Sequence, residues 1–215
     1  MSSAQLLWIT PDAEKTMEYA ARVSAPKNQE RMENGELEAG NLLRYCARKG
    51  HWSVFEMANA CLSITTTRDI SAQILRHRSF SFQEFSTRYA KVVDAIAVPE
   101  LRLQAEDNRQ ASIRSVTAHA AFENDVADLF GSVRELYDRM INEGIARETA
   151  RRILPMCAPT KLYMNGTIRS WIHYLVVRCA PETQPEHRAV ALQARALLAR
   201  NLPIVAQAFG WKDEA

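Results

Sequence analysis

Little in this chain marks it for a membrane, for secretion or for coating nucleic acid. No apolar run approaches the roughly 20 residues that span a bilayer. The N-terminal stretch MSSAQLLWIT lacks the basic flank and long apolar region of a secretory leader. Cys46, Cys61, Cys157 and Cys179 lie far apart, with no C-x-x-C pair and no paired histidine spacing, which argues against a zinc framework or any other metal site. Reduced thiols and a cytoplasmic location are expected. The net charge is only +2, whereas a general nucleic-acid binder carries a strongly basic surface. Lysine is scarce: Lys15, Lys27, Lys49, Lys91, Lys161 and Lys212 are the only six, and the other 21 of 27 basic residues are Arg. Arginine offers a rigid fork for phosphate and carboxylate and stacks on rings. A GC-rich genome explains that count about as well, so clustering has to carry the argument.

What is present fits one α/β domain over residues 1–215, a small central sheet flanked by helices. At 47% hydrophobic and 24% charged, a chain of this length buries a sizeable core without staples. Thr10 reads as a helix N-cap with Pro11 at the first helical position, and the helix runs to about Arg22. KNQERMENGE reads as a polar loop. LEAGNLLRYCARKG reads as a helix closed by Gly50. Residues 58–67 alternate and are β-branched, as in a strand. DISAQILRH returns to helical spacing with Ile70, Ile74 and His77 on one stripe, and leaves the helix near Arg78. The longest helical pattern runs from Val116 to Gly144, with a polar side suited to solvent or to subunit contacts. ARETARRIL is a short helix stopped by Pro155, and TKLYMNGTI is a strand with a turn or bulge at Asn165-Gly166. RSWIHYLVV and TQPEHRAVALQARALLARNL are the last helices, the second with a core stripe of Leu192, Ala196, Leu197 and Ala199. His51 reads as a helix-terminal histidine, and His119 and His187 as surface or packing residues.

One segment stands apart. RHRSFSFQEFSTRY, residues 76–89, interleaves planar donors with Phe80, Phe82 and Phe85. Gln73, Arg76 and His77 stand at i, i+3 and i+4, the spacing of one helix face. Ser86 and Arg88 point the same way in an extended segment and make a phosphate seat. Glu84 keeps the arginines from repelling one another, or orients them. Arg147 and Arg151 share a face, while Glu148 and Arg152 form an i, i+4 pair; spacing alone allows the reverse roles. Arg169 and His173 share another face.

RHRSFSFQEFSTRY resembles the signature of the flavin-dependent thymidylate synthases, through Arg76, His77, Arg78, Ser81, Glu84, Ser86, Arg88 and Tyr89. HWSVFEMA, ARETARRILP and NGTIRSWIHYLVVRC fit the same family in order and spacing, so the likeness spans roughly residues 20–190. Gln83, Thr167 and His173 stand where the family usually has Asn, and each keeps a hydrogen-bonding group. The resemblance implies a methyltransferase that converts dUMP to dTMP. Methylenetetrahydrofolate supplies the carbon, and NADPH reduces a bound FAD. It also implies a homotetramer with shared active sites and no nucleophilic cysteine. It places Gln73, Arg76, Glu84, Ser86, Arg88, Arg151 and Arg178 at dUMP. It places Ser53, Glu56, Arg76, His77, Arg78, Gln83, Glu84, Thr167, Arg169 and His173 at FAD. Arg178 matches the arginine set against the pyrimidine, where a fixed cation favours ionisation at N3. On a continuous helix Arg178 lies off the Arg169–His173 face. Either the helix ends near Cys179 and the side chain bends back, or Arg178 serves a neighbouring subunit. Two other readings compete: a single-strand or RNA-binding module, which interleaves basic and aromatic residues in the same manner, and a homologue that binds nucleotide without turnover.

Overall fold

The structure, a computed structural model, describes residues 2–92 and 95–211. The chain opens with a strand that the sequence reading did not anticipate, β1 (Ser3–Ile9). Thr10 then continues its pairing with the next strand instead of capping a helix. Its N–H donates to the Asn59 carbonyl, and its Oγ1 accepts from the Asn59 N–H, both at 2.9 Å. Helix α1 (Ala13–Ala21) therefore starts later, behind Asp12 in the left-handed region. The polar stretch read as a loop is a helix, α2 (Pro26–Glu33), with proline at its first position. Tertiary bonds override its weak pattern: Tyr19 Oη donates to Glu33 Oε1 at 2.7 Å, and Gln29 Nε2 donates to the Tyr19 carbonyl at 3.1 Å. Helix α3 (Asn41–Lys49) ends as expected on Gly50 at φ 67°. A 3₁₀ turn, Trp52–Glu56, leads into β2 (Asn59–Thr67), most of which is buried.

Helix α4 (Arg68–Ile74) stops three residues before His77, so Gln73, Arg76 and His77 do not share a helical face. Arg76 and His77 sit in the turn that follows, where the His77 N–H donates to the Ile74 carbonyl at 3.0 Å. Strand β3 (Ser81–Glu84) ends before Ser86. The expected extended run of Ser86 and Arg88 is instead a turn, because the Ser86 carbonyl accepts from the N–H groups of Tyr89 and Ala90, both at 3.1 Å. Two short strands, β4 (Arg102–Gln104) and β5 (Ser112–Arg114), pair antiparallel ahead of α5 (Val116–Asn142). Helix α6 (Arg147–Ala150) and a 3₁₀ turn (Arg151–Ile153) precede β6 (Pro159–Thr167). Helices α7 (Ile168–Arg178), α8 (Pro185–Asn201) and α9 (Pro203–Ala208) follow. The four-stranded sheet has the order β1-β2-β6-β3. A small sheet combined with helices is the α/β class that the sequence implies.

The chain divides into two compact units. The first comprises Met1–Ile64, Ile74–Gln83 and Leu162–Ala215; the second comprises Thr65–Gln73 and Glu84–Lys161. In the first, Trp171 is fully buried and its Nε1 donates to the Ala60 carbonyl at 3.0 Å, pinning α7 to β2. The turn expected at Asn165-Gly166 is absent, and β6 runs straight through both residues. Glycine is required there by packing: a Cβ on Gly166 would lie 2.4 Å from the Phe80 ring. Phe80 also meets Trp171 edge-on at 4.9 Å. The buried stripe of α8 is His187, Val190, Ala191, Ala194 and Leu198, one face at helical spacing, and not the expected Leu192, Ala196, Leu197 and Ala199. In the second unit, Val92, Tyr137 and Ala150 form a core with Met140, Ile141, Ile153 and Leu154 against it.

Gly166→Ala forces Phe80 off its seat between β6 and α7. A loss of about 1–3 kcal/mol in denaturant unfolding is expected, as for other overpacked cores. An unchanged unfolding midpoint would show that Phe80 moves freely.

Candidate functional site

Helix α7 carries three of the expected site residues of the first unit, Arg169, His173 and Arg178, on two faces. Thr167 caps it, its Oγ1 accepting from the Ser170 N–H at 3.2 Å. Ser170 Oγ donates to the Ser79 carbonyl at 3.2 Å, which ties the helix to the arginine-rich segment. Arg169, Ile172, His173 and Val176 recur at i, i+3, i+4 and i+7 and form one wall of a cavity of about 680 Å³. Trp52, Glu56, Ser79 and Ser170 complete it. Arg169 Nη1 donates to Glu56 Oε1 at 2.5 Å. Both side chains are substantially exposed, so the pair contributes at most about 1 kcal/mol and leaves the guanidinium available to a ligand. The Trp52 indole stacks on Phe209 with centroids 5.7 Å apart and an interplanar angle of 23°. The indole is thereby held as a flat apolar wall.

The second face of α7 bears Tyr174 and Arg178, again four residues apart. Arg178 is the last residue of the helix, and its Nε donates to His77 Nε2 at 2.9 Å. The helix ends there, and the side chain turns to His77, away from the Arg169–His173 cavity face. The His77 ring lies edge-on to Tyr174 at 5.0 Å. Tyr174 Oη shares a hydrogen bond of 3.2 Å with His187 Nε2. Burial, reinforced by the Arg178 charge, pushes the His77 pKa down to about 4 and that of His187 down to about 3. Burial also raises the Tyr174 phenol. The cluster is therefore neutral at pH 7 except for Arg178.

In the second unit, Ser71 Oγ and Thr160 Oγ1 both donate to Glu84 Oε1, at 2.8 and 3.0 Å. Glu84 is thus bonded by two hydroxyls and not by the arginines it was expected to order. Arg151 Nη1 donates to the buried Thr87 Oγ1 at 3.1 Å. Glu148 pairs with Arg88 at 3.4 Å and not with Arg152, because the turn at 86–90 brings Arg88 to it. Arg88, Tyr89, Ala146, Arg147 and Glu148 line an open hollow of about 250 Å³. Two cations over such a hollow suit an anion.

The family described as thymidylate synthase complementing protein matches residues 5–204 of this sequence. The chain belongs to that family. A protein of Paramecium bursaria Chlorella virus 1, named a probable flavin-dependent thymidylate synthase, is 43% identical over 201 residues, covering 93% of this chain and 91% of its own. The flavin-dependent thymidylate synthase of a Synechocystis strain is 47% identical over 195 residues, covering 90% and 87%. Among solved structures, the UMP/dUMP methylase PolB of Streptomyces cacaoi, bound with 5-Br dUMP, matches with a TM-score of 0.85 at 28% identity over 98% and 95% of the two chains.

Within this thymidylate synthase family member, the residues expected at flavin separate by position. Glu56, Arg169 and His173 line the large cavity, and His77 joins Arg178. Ser53, Arg76, Arg78 and Gln83 are exposed and are not on the cavity wall, and the Thr167 hydroxyl caps α7. Of the residues expected at dUMP, Arg76 and Arg178 belong to the first unit. Gln73, Glu84, Ser86, Arg88 and Arg151 belong to the second. Sequence reasoning missed Trp52, Ser79 and Ser170, although each adjoins a residue it named. It also missed Ile172 and Val176, which extend the Arg169–His173 spacing by helical periodicity.

Because His77 and His187 have folded pKa values below the ordinary 6.5, the unfolded chain takes up their protons first as pH falls. Their stabilising contribution is complete above about pH 6.5 and declines through the window down to about 4 for His77 and 3 for His187. Urea unfolding from pH 7 to 4 should show a falling midpoint. His187→Gln, which hydrogen-bonds without titrating, should flatten that fall. Equal slopes for the two proteins would remove His187 from the account.

Proposed function

We propose that this chain is a flavin-dependent thymidylate synthase, a methyltransferase that converts dUMP to dTMP with FAD as cofactor and methylenetetrahydrofolate and NADPH as co-substrates. The observation that carries the reading is the joining of two segments that bear the family resemblance: the signature His77 receives the hydrogen bond of Arg178 at the end of the NGTIRSWIHYLVVRC helix.

The cavity on α7 fits a flavin nucleotide in size and in lining. Its volume lies in the range of small-ligand sites, with a fixed indole, Ile172 and Val176 for a ring and with Arg169, His173 and Ser79 for polar groups. A flavin held there would, once reduced by NADPH, supply the hydride. The protein's own groups bind, orient and polarise. Arg178 stands against the pyrimidine and stabilises negative charge as N3 loses its proton, which makes C5 nucleophilic without an enzyme thiol. Arg88, Ser86 and Arg151 serve the nucleotide phosphate. The exposed Arg88–Glu148 pair is weak and yields to a phosphate that offers stronger charge-assisted bonds. Glu84, held by two hydroxyls, is a fixed acceptor for the substrate. Gln73, Arg76, Arg78, Gln83 and Ser53 complete the substrate and flavin contacts that the family resemblance implies.

The enzyme works as a homotetramer. Phe122, Leu129 and Leu136 lie seven residues apart on α5 and are exposed, a continuous apolar stripe suited to a second copy. The free thiols of Cys46, Cys61, Cys157 and Cys179 suit a reducing cytoplasm. No described helix is long and apolar enough to cross a membrane. A role in stacking single-stranded RNA is less well supported, since Phe80 of the interleaved aromatics is packed in the core.

Two substitutions test the assignment together. Arg178→Ala should keep its fold and flavin yet lose methyl transfer. Arg88→Ala should weaken dUMP binding by about 1.5–3 kcal/mol, the value of one charge-assisted hydrogen bond. Wild-type dTMP formation by the first, or an unchanged dUMP titration of the second, would refute the respective role.

A further inference from the structure

Arginine has no acceptor, so the hydrogen bond between Arg178 Nε and His77 Nε2 fixes the histidine's state. Nε2 must carry the lone pair, and the ring proton sits on Nδ1. An imidazolium could not accept this bond and would repel the guanidinium. Donation from Nε also fixes the plane of the guanidinium, because the group is rigid and flat. The terminal nitrogens, which have no protein partner among the described residues, then form a fork of set orientation.

Behind His77 stand two further side chains from different helices. Tyr174, one turn before Arg178 on α7, presents its ring edge to the imidazole at 5.0 Å. His187 of α8, fully buried, bonds Tyr174 and lies 6.5 Å from His77. Groups facing His77 are thus Arg178, Tyr174 and His173 from α7 and His187 from α8, with no carboxylate among them. Nothing there favours a charged imidazole.

We propose that His77 is a positioning residue that acts through Arg178, its neutral Nε2 holding the guanidinium in the orientation that meets the pyrimidine, with the Tyr174–His187 pair as its backing. This rests on the reading of Arg178 as the pyrimidine-facing cation. It gives His77 a role distinct from the flavin contact implied by resemblance.

Two amide substitutions separate the ring nitrogens. His77→Gln places an acceptor near the position of Nε2, whereas His77→Asn reaches only as far as Nδ1. The holoenzymes of both, of Arg178→Ala and of the double variant His77→Asn/Arg178→Ala are compared by kcat, by KM for dUMP and by flavin occupancy from the visible spectrum. His77→Asn should retain flavin and lose about tenfold to a hundredfold in kcat, the scale of one hydrogen bond to a charged group. His77→Gln should recover most of that loss. The double variant should be no slower than Arg178→Ala, since His77 has no other route to the reaction. Full activity in His77→Asn, failure of His77→Gln to recover, loss of flavin from His77→Asn, or a double variant slower than Arg178→Ala would each overturn the proposal. Wild-type turnover by Arg178→Ala would instead overturn the assignment of Arg178, and the inference with it.

Discussion

Helix α7 owes its usefulness to one constraint, the anchoring of a buried indole. Trp171 cannot be buried with its N–H unpaired, and the Ala60 carbonyl on β2 satisfies it at 3.0 Å. Phe80 packs edge-on against the same indole and over Gly166. Those contacts fix the rotation of the helix about its axis. Once that rotation is set, helical spacing does the rest. Arg169, Ile172, His173 and Val176 must face one way, into the cavity, and Tyr174 and Arg178 must face another, toward His77. A rigid element carrying two sets of functional groups is a sound platform for chemistry that needs a cofactor and a substrate held together.

The second unit solves a different problem with weaker forces. Its cations are tethered lightly: Arg151 by one hydroxyl, Arg88 by one exposed carboxylate. Loose tethers leave such groups able to exchange a protein partner for an anion. The His77–Tyr174–His187 cluster is the opposite case, with Tyr174 and His187 fully buried, His77 half-buried, and the group neutral and fixed. The contrast follows from burial, since a charged group taken from water requires a partner and an exposed one does not.

Much of this was legible in the sequence where a residue's role is set by its neighbours in the chain. The C-cap at Gly50, the strand at β2 and the ends of α5 and α7 follow from local pattern. The signature segment was recognisable from the order of its side chains. What escaped was decided by distant partners. Helix α2 looks like a loop until Tyr19 bonds Glu33. Asn165-Gly166 looks like a turn until Phe80 fills the place of a Cβ. Ser86 and Arg88 looked extended, but the Ser86 carbonyl closes a turn on Tyr89 and Ala90. His187 reads from sequence as a surface or packing residue; it is packed, and its bond to Tyr174 could not be read from spacing across two helices. The core stripe of α8 was misplaced because alanine and leucine occur on several of its faces.

On the function proposed above, a flavin and dUMP meet at one site. The direct test is the visible absorption spectrum of freshly purified protein, recorded before and after dUMP is added. An oxidised-flavin spectrum that shifts on dUMP addition is the expected result. A protein that remains colourless when supplied with FAD, or a flavin spectrum indifferent to saturating dUMP, would exclude that shared site.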